Sequence, residues 1–268
     1  MERTPLTLAP DRLVEELSAM LGADGPRSAV LAFDGDGTLW SGDVGEDLFH
    51  AAMREKFLLD EVEPALRAEA ARYELPLEGA RGASAVAEAL FAAYLDGRYP
   101  ERDTCGMMTW CYAGHTLGEV ESFARGVLEG GDMRARLHAE LEPILEFADR
   151  AGLRCVLVSA SPRVIVEPAG ALRGFAPADV AAATPAVANG RVLPRLHAAV
   201  PYAEHKLTAG RELFGDARWL AAFGDNVFDI EMLTTAEVGV AVRPKPRLAA
   251  ELATLGLRVL SRADQAQP

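Results

Sequence analysis

Two short apolar runs, Ala29 to Phe33 and Cys155 to Ser159, show no alternation of apolar and polar positions and stop abruptly at polar clusters. A strand with one wet face would alternate, so continuous apolarity predicts strands buried on both faces, as in a parallel sheet. Trp219 to Phe223 ends the same way in Gly224-Asp225-Asn226, and Val238 to Val242 forms a fourth run ahead of Pro244. Stretches with helical spacing separate these runs: Pro143 to Arg150 stops at Gly152, Lys206 to Phe214 stops at Gly215, and Val227 to Leu233 follows the third run. Alternation of strand and helix predicts an α/β fold with a doubly wound, mostly parallel sheet. Ligands of such sheets bind outside the carboxyl ends of the strands, where the acidic clusters of this chain fall.

From about Asp43 to Arg134 the pattern changes to Ala, Leu and Glu at helical spacing with no convincing buried strand, which predicts a helical insert over residues 43–134. The flanking segments, 1–42 and 135–268, would then form the core. The best-marked insert helix starts at Thr116 with Glu119 three residues on, a capping box. It would bury Leu117, Val120, Phe123, Ala124, Val127 and Leu128 and end at Gly130-Gly131. Between the second and third core strands, Asn189-Gly190 in VANGRV is the pair expected of a two-residue hairpin turn. Internal repeats and low-complexity segments are absent from the sequence.

At 268 residues, half of them apolar, the chain can bury a full core. Acidic residues outnumber basic ones by 40 to 27, a formal charge of −13, which argues against nucleic acid and anionic membrane surfaces as partners. No apolar segment approaches the ~20 residues that cross a bilayer. The first 21 residues do not read as a signal peptide, so a cytoplasmic monomer or homodimer is expected. Cys105, Cys111 and Cys155 lack paired spacing and are expected to be reduced. His50, His115, His138, His197 and His205 show no metal-ligand spacing, so zinc is not expected.

The first strand runs directly into Asp34-Gly35-Asp36-Gly37-Thr38, which sets two carboxylates two residues apart at a strand end. With Asp225 and Asp229 ending another strand, this concentrates negative charge that is costly unless a cation sits there, and oxygen ligands suit magnesium. Three other readings of DGDG compete. A calcium loop fails because its sixth position is Leu39 and its twelfth Gly45; a dinucleotide fingerprint fails because Trp40 stands where the third glycine belongs; a plain surface turn stays open on this segment alone.

FDGDGT, then VLVSAS, then a lone Lys206, then FGDNVFD resemble, in order, the four motifs of the haloacid dehalogenase superfamily. The resemblance covers about Ala29 to Val242. It implies a Rossmann-like core in which Asp34 is the nucleophile that forms an aspartyl-phosphate and Asp36 the general acid and base. It implies further that Ser159 and Lys206 hold the phosphate, with Ser161 the competing serine. Mg2+ would be bound by Asp34, the carbonyl of Asp36 and Asp225, and supported by Asp229 and Asn226. Dehalogenating members generally lack the second aspartate, so Asp36 points to phosphoryl chemistry.

The insert matches the position of the helical cap in the phosphoserine phosphatase-like branch, and VSASP with DGDGTLWSGDVGE resemble members that include phosphocholine phosphatases. The expected function is magnesium-dependent hydrolysis of a small phosphorylated metabolite. A phosphotransferase or mutase using the same intermediate, and a non-catalytic phosphate-binding or regulatory protein, are the alternatives. Trp40, Asp43, Glu46, Trp110, Tyr112 and Arg163 are candidate substrate contacts. Four have a plainer reading: Trp110 and Tyr112 as core of the insert, Asp43 as a helix cap, Arg163 as an exposed side chain.

Overall fold

The computed structural model describes residues 5–21 and 28–262. The outer limits expected for the core, residues 1 and 268, lie outside the described residues. In chain order the elements are β1 (Leu6–Leu8), α1 (Pro10–Leu21), β2 (Ala29–Phe33), α2 (Val44–Glu55), α3 (Glu63–Arg72), α4 (Ala83–Leu95), α5 (Glu101–Trp110), α6 (Leu117–Gly130) and a short α7 (Met133–Arg136). There follow α8 (Glu142–Ala151), β3 (Arg154–Pro162), α9 (Arg163–Ala171), β4 (Val180–Ala183), β5 (Pro185–Ala188), β6 (Arg191–Leu196), α10 (Glu204–Phe214), β7 (Arg218–Gly224), α11 (Ile230–Thr235), β8 (Val238–Val242), α12 (Pro246–Leu255) and β9 (Arg258–Leu260).

Seven strands form one sheet in the order β1-β9-β8-β7-β2-β3-β4, and every neighbouring pair is parallel. Successive side chains of β2 point to opposite faces. Leu31 and Phe33 join one apolar cluster with α1, α8 and α9, and Ala32 joins the other with α11 and α12. Both faces are covered, which is why the strands show no polar alternation. Phe33 stacks on Phe223 with ring centroids 4.5 Å apart, and the Asp34 N–H donates to the Phe223 carbonyl at 2.9 Å. These contacts lock the ends of β2 and β7 side by side, so their acidic tips meet.

The element bounds differ from the sequence expectation in instructive ways. β3 runs to Pro162, so Ser159 lies inside it, and the pairing with β4 shifts register between Ser159 and Pro162. The helix expected from Val227 opens as a 3-10 turn, Val227–Asp229, before α11. β1, β4 and β9 are three or four residues long, too short for a run of apolar positions to register.

Helices α2 to α8 lie between β2 and β3, with no strand among the described residues of that interval. α6 carries the Thr116–Glu119 capping box, but only Val120 and Ala124 are fully buried; Leu117, Phe123, Val127 and Leu128 are partly covered. The β5–β6 hairpin turns at Asn189 and Gly190 with φ of 51° and 75°, both positive as a type I′ turn requires. It packs on α5 and is tied to the insert by Leu117 N–H to the Gly190 carbonyl (3.0 Å) and Val192 N–H to the His115 carbonyl (2.9 Å). The two connections to the insert also pair: Ser41 N–H donates to Arg136, and His138 N–H to Leu39, each at 3.0 Å. Among the described residues no helix is long and apolar enough to cross a membrane.

Candidate active site

Both faces of the central strands are buried, and at the carboxyl edge of the sheet the tips of β2, β3 and β7 bring Asp34, Asp36, Ser159, Ser161, Asp225 and Asp229 together around a cavity of about 60 Å3. Lys206, from the first turn of α10, enters the same cavity. It is 4% exposed, and its Nζ lies 2.5 Å from Asp34 Oδ1 and 2.5 Å from Asp229 Oδ1. The ordinary role of a lysine at a helix start, a solvated side chain, is thereby excluded. Burial works against its charge, but Asp229 and Asp34 outweigh burial and hold the ammonium above its usual range.

Asp34 and Asp36 sit in different surroundings. Asp34 Oδ2 accepts from Thr38 Oγ1 at 2.9 Å, while Oδ1 takes Lys206. Burial pushes its carboxyl up to about 7 even so. Asp36 is turned toward neutral donors: Oδ1 accepts from Trp40 Nε1 and from Val44 N–H, each at 2.8 Å, and Oδ2 accepts from Ser161 Oγ at 2.7 Å. Burial, followed by the charge of Asp43, raises it to about 7 as well. Ser161 is therefore committed to Asp36. Its N–H donates to Ser159 Oγ at 3.1 Å, which leaves the Ser159 hydroxyl proton available to a ligand.

Asp225 follows Gly224, whose Cα approaches Asp229 so closely that an added Cβ would lie 2.6 Å from Asp229 Cβ. Asp229 Oδ2 in turn accepts from the N–H groups of Asp225 (3.0 Å) and Asn226 (2.9 Å), which closes the turn and fixes the angle at which Asp225 faces Asp34. Gly37, at φ 83°, passes beneath Asp225, where a Cβ would fall 2.1 Å from Oδ2. Asp34, Asp225 and Asp229 present carboxylate oxygens within 4.8 Å of one another. Burial first, then the charge of Asp34, raises Asp225 to about 7. These are hard oxygen donors in excess negative charge, a set that fits magnesium. A divalent cation among them would reverse the local balance and favour the ionised carboxylates.

This arrangement accounts for the match of residues 31–234 to the haloacid dehalogenase-like hydrolases. The chain belongs to that family. Among solved structures, this hydrolase resembles a protein of unknown function from Bordetella pertussis Tohama I (TM-score 0.68, 19% identity, 87% of this chain and 98% of that one). It also resembles a HAD family hydrolase from Salmonella enterica serovar Typhi (TM-score 0.57, 15% identity, 94% and 76%) and a probable phosphoserine phosphatase from Vibrio cholerae (TM-score 0.56, 13% identity, 89% and 62%). At these identities the likeness is one of fold. No curated protein matches the sequence.

The remaining candidates scatter. Trp40 is fully buried and serves Asp36 through its indole N–H instead of facing a substrate. Asp43 lines the cavity and caps α2 by accepting from Glu46 N–H at 2.8 Å; burial raises it to about 6. Glu46 is half-buried and raised by burial and by Asp36, although it does not line the cavity wall. Trp110 lines a separate groove with Arg72, Arg102 and Arg195, and Tyr112 is buried beside Cys111, away from the cavity. Arg163 turns away, bonded to Glu167 (2.5 Å) and the Pro177 carbonyl (2.8 Å). The three cysteines are free thiols, with Cys155 in β3.

Glu101 and Cys105 of α5, Tyr202, Phe228 and Lys245 also line the cavity, and no sequence pattern singled them out. Phe228 lies within FGDNVFD and Tyr202 four residues before Lys206, whereas Glu101 and Cys105 are far from any motif and reach the cavity because α5 packs on β3. A larger groove of about 890 Å3 lies between α2 and α6 and contains none of the motif residues.

Proposed function

We propose that this hydrolase is a magnesium-dependent phosphomonoesterase of the phosphoserine phosphatase-like branch, acting in the cytoplasm on a small organic phosphate through an aspartyl-phosphate on Asp34. The observation that carries this reading is the division between the two carboxylates. Asp34 faces an ammonium and two further carboxylates, the setting of an ionised nucleophile once a cation is present. Asp36 faces only neutral donors and holds its proton up to about 7, the setting of a general acid.

In this mechanism Asp34 Oδ attacks phosphorus as the ester oxygen departs and takes a proton from Asp36. Oδ1 of Asp36 is occupied by two donors, so Oδ2, on the cavity side with Ser161, is the oxygen that carries that proton. Asp36 then accepts a proton from the water that hydrolyses the acyl phosphate. The Ser159 hydroxyl and the Lys206 ammonium bind the phosphoryl oxygens as charge shifts onto them. Magnesium, held by Asp34, the Asp36 carbonyl and Asp225 and supported by Asp229 and Asn226, would supply neutralisation of the phosphoryl charge.

The small cavity and the helices over it support a closing insert that admits a small substrate and then excludes water. Carboxylates of Asp43 and Glu101 line the cavity together with the rings of Tyr202 and Phe228, whose centroids are 4.4 Å apart, and favour a cationic leaving group such as that of phosphoserine or phosphocholine. Phosphate release from p-nitrophenyl phosphate with Mg2+ tests the reaction. Asp34→Asn should abolish it; a folded wild type that stays inactive, or an active Asp34→Asn, overturns the reading. A panel with phosphoserine and phosphocholine tests the substrate class.

A further inference from the structure

Two ammonium groups reach the cavity, and they are held differently. Lys206 is enclosed and shared between two carboxylates at 2.5 Å. Lys245, at the end of β8 where α12 begins, puts Nζ 3.1 Å from Asp225 Oδ2, and its side chain is 54% exposed. Its backbone N–H also donates to the Asp225 carbonyl at 2.8 Å. The main chain of Lys245 is thus pinned to Asp225 independently of the side chain, so the ammonium can leave without unseating the loop.

We infer that Lys245 is a built-in counter-ion that occupies the magnesium-facing carboxylate of Asp225 and gives way to the metal, so that it sets how tightly the site takes the divalent cation. The inference rests on the metal-dependent reading proposed above. The Asp225 carboxylate cannot serve an ammonium and a divalent cation at once without placing two positive charges a few ångströms apart. That repulsion exceeds what one half-exposed ion pair returns. Lys206 has no route out, since any motion leaves Asp34 or Asp229 buried and unpaired. Lys245 has both solvent and a destination, because Asp43, Glu46 and Glu101 already lie within electrostatic reach of its charge. In the metal-free protein the same ammonium limits repulsion among Asp34, Asp225 and Asp229, which crowd within 4.8 Å.

The experiment is calorimetric titration of Mg2+ into the metal-free full chain, without substrate, for wild type, Lys245→Met and Lys245→Arg. Removing the competitor should tighten Mg2+ binding about two- to fivefold, the equivalent of one partly exposed ion pair, while Lys245→Arg stays near wild type. Melting in EDTA should show Lys245→Met below wild type, with a larger rise on adding Mg2+. Unchanged or weaker Mg2+ binding by Lys245→Met overturns the inference. So does unchanged metal affinity combined with a raised KM for p-nitrophenyl phosphate, which would make Lys245 a substrate contact. If the methionine variant does not fold, Lys245→Gln carries the same comparison. Because the titration contains no substrate, tighter binding by a protein that lacks phosphatase activity upholds this inference while the reaction assay fails separately.

Discussion

Replacing Lys206 by methionine removes the charge that Asp34 and Asp229 share while keeping most of the side chain's volume. Lys206, Asp34 and Asp229 are 4%, 5% and 1% exposed, so solvent cannot enter to replace the ammonium. Breaking a buried pair in this way costs about 3–5 kcal/mol, out of a total stability of about 5–15 kcal/mol. The cost should depend on pH. Burial already raises Asp34 to about 7 against the pull of Lys206; without the ammonium, burial and the charge of Asp229 act unopposed and push it higher. A carboxyl raised in the folded state contributes stability that is full below its unfolded value, about 4, and is lost as pH rises through the folded value. The variant therefore regains stability as pH falls, because Asp34 takes up a proton in place of the lost charge. Urea unfolding in EDTA, followed by circular dichroism, should show a deficit of about 3–5 kcal/mol at pH 7.5 that shrinks by about 1 kcal/mol at pH 5, since wild-type Asp34, at about 7, also takes up a proton over this range. Phosphatase turnover should fall by about 10²–10³-fold. A deficit equal at both pH values, or below about 1 kcal/mol at pH 7.5, would refute the shared-charge account.

Gly37→Ala places a Cβ 2.1 Å from Asp225 Oδ2 on backbone at φ 83°, so it should cost about 1–3 kcal/mol in strain and reduce turnover at least about 10²-fold by displacing Asp225. Calorimetry should show Mg2+ binding weakened in parallel; normal binding would mean that the loop relaxes elsewhere. Trp40→Phe keeps the buried ring but removes the 2.8 Å donor to Asp36 Oδ1, at about 1–2 kcal/mol in stability. Turnover should fall more for an alkyl phosphate, whose leaving oxygen needs the proton of Asp36, than for p-nitrophenyl phosphate; equal losses would count against Trp40 as a positioning residue.

Much of the site's raw material is local and therefore legible in the sequence. Continuous apolar runs mark strands buried on both faces, and the polar residues where each run stops stand toward a sheet edge, which places Asp34 and Asp225 just past their runs and Ser159 at the end of its own without reference to the rest of the chain. Turn chemistry is equally local: Asn189-Gly190 needs only its own backbone preferences to turn, and Thr116 with Glu119 needs only a helix to cap. The sequence by itself determined the parallel α/β sheet and the order of the motifs. Only the tertiary structure decided which distant groups meet. It turned Trp40 inward onto Asp36, committed Ser161 to Asp36 and left Ser159 free, and sent Arg163, Trp110 and Tyr112 away from the cavity. It also brought Glu101, Tyr202 and Lys245 in. The reason is physical: burial and turn preferences act over a few residues, whereas the direction of a side chain toward a site is fixed by the packing of helices whose partners lie a hundred residues away.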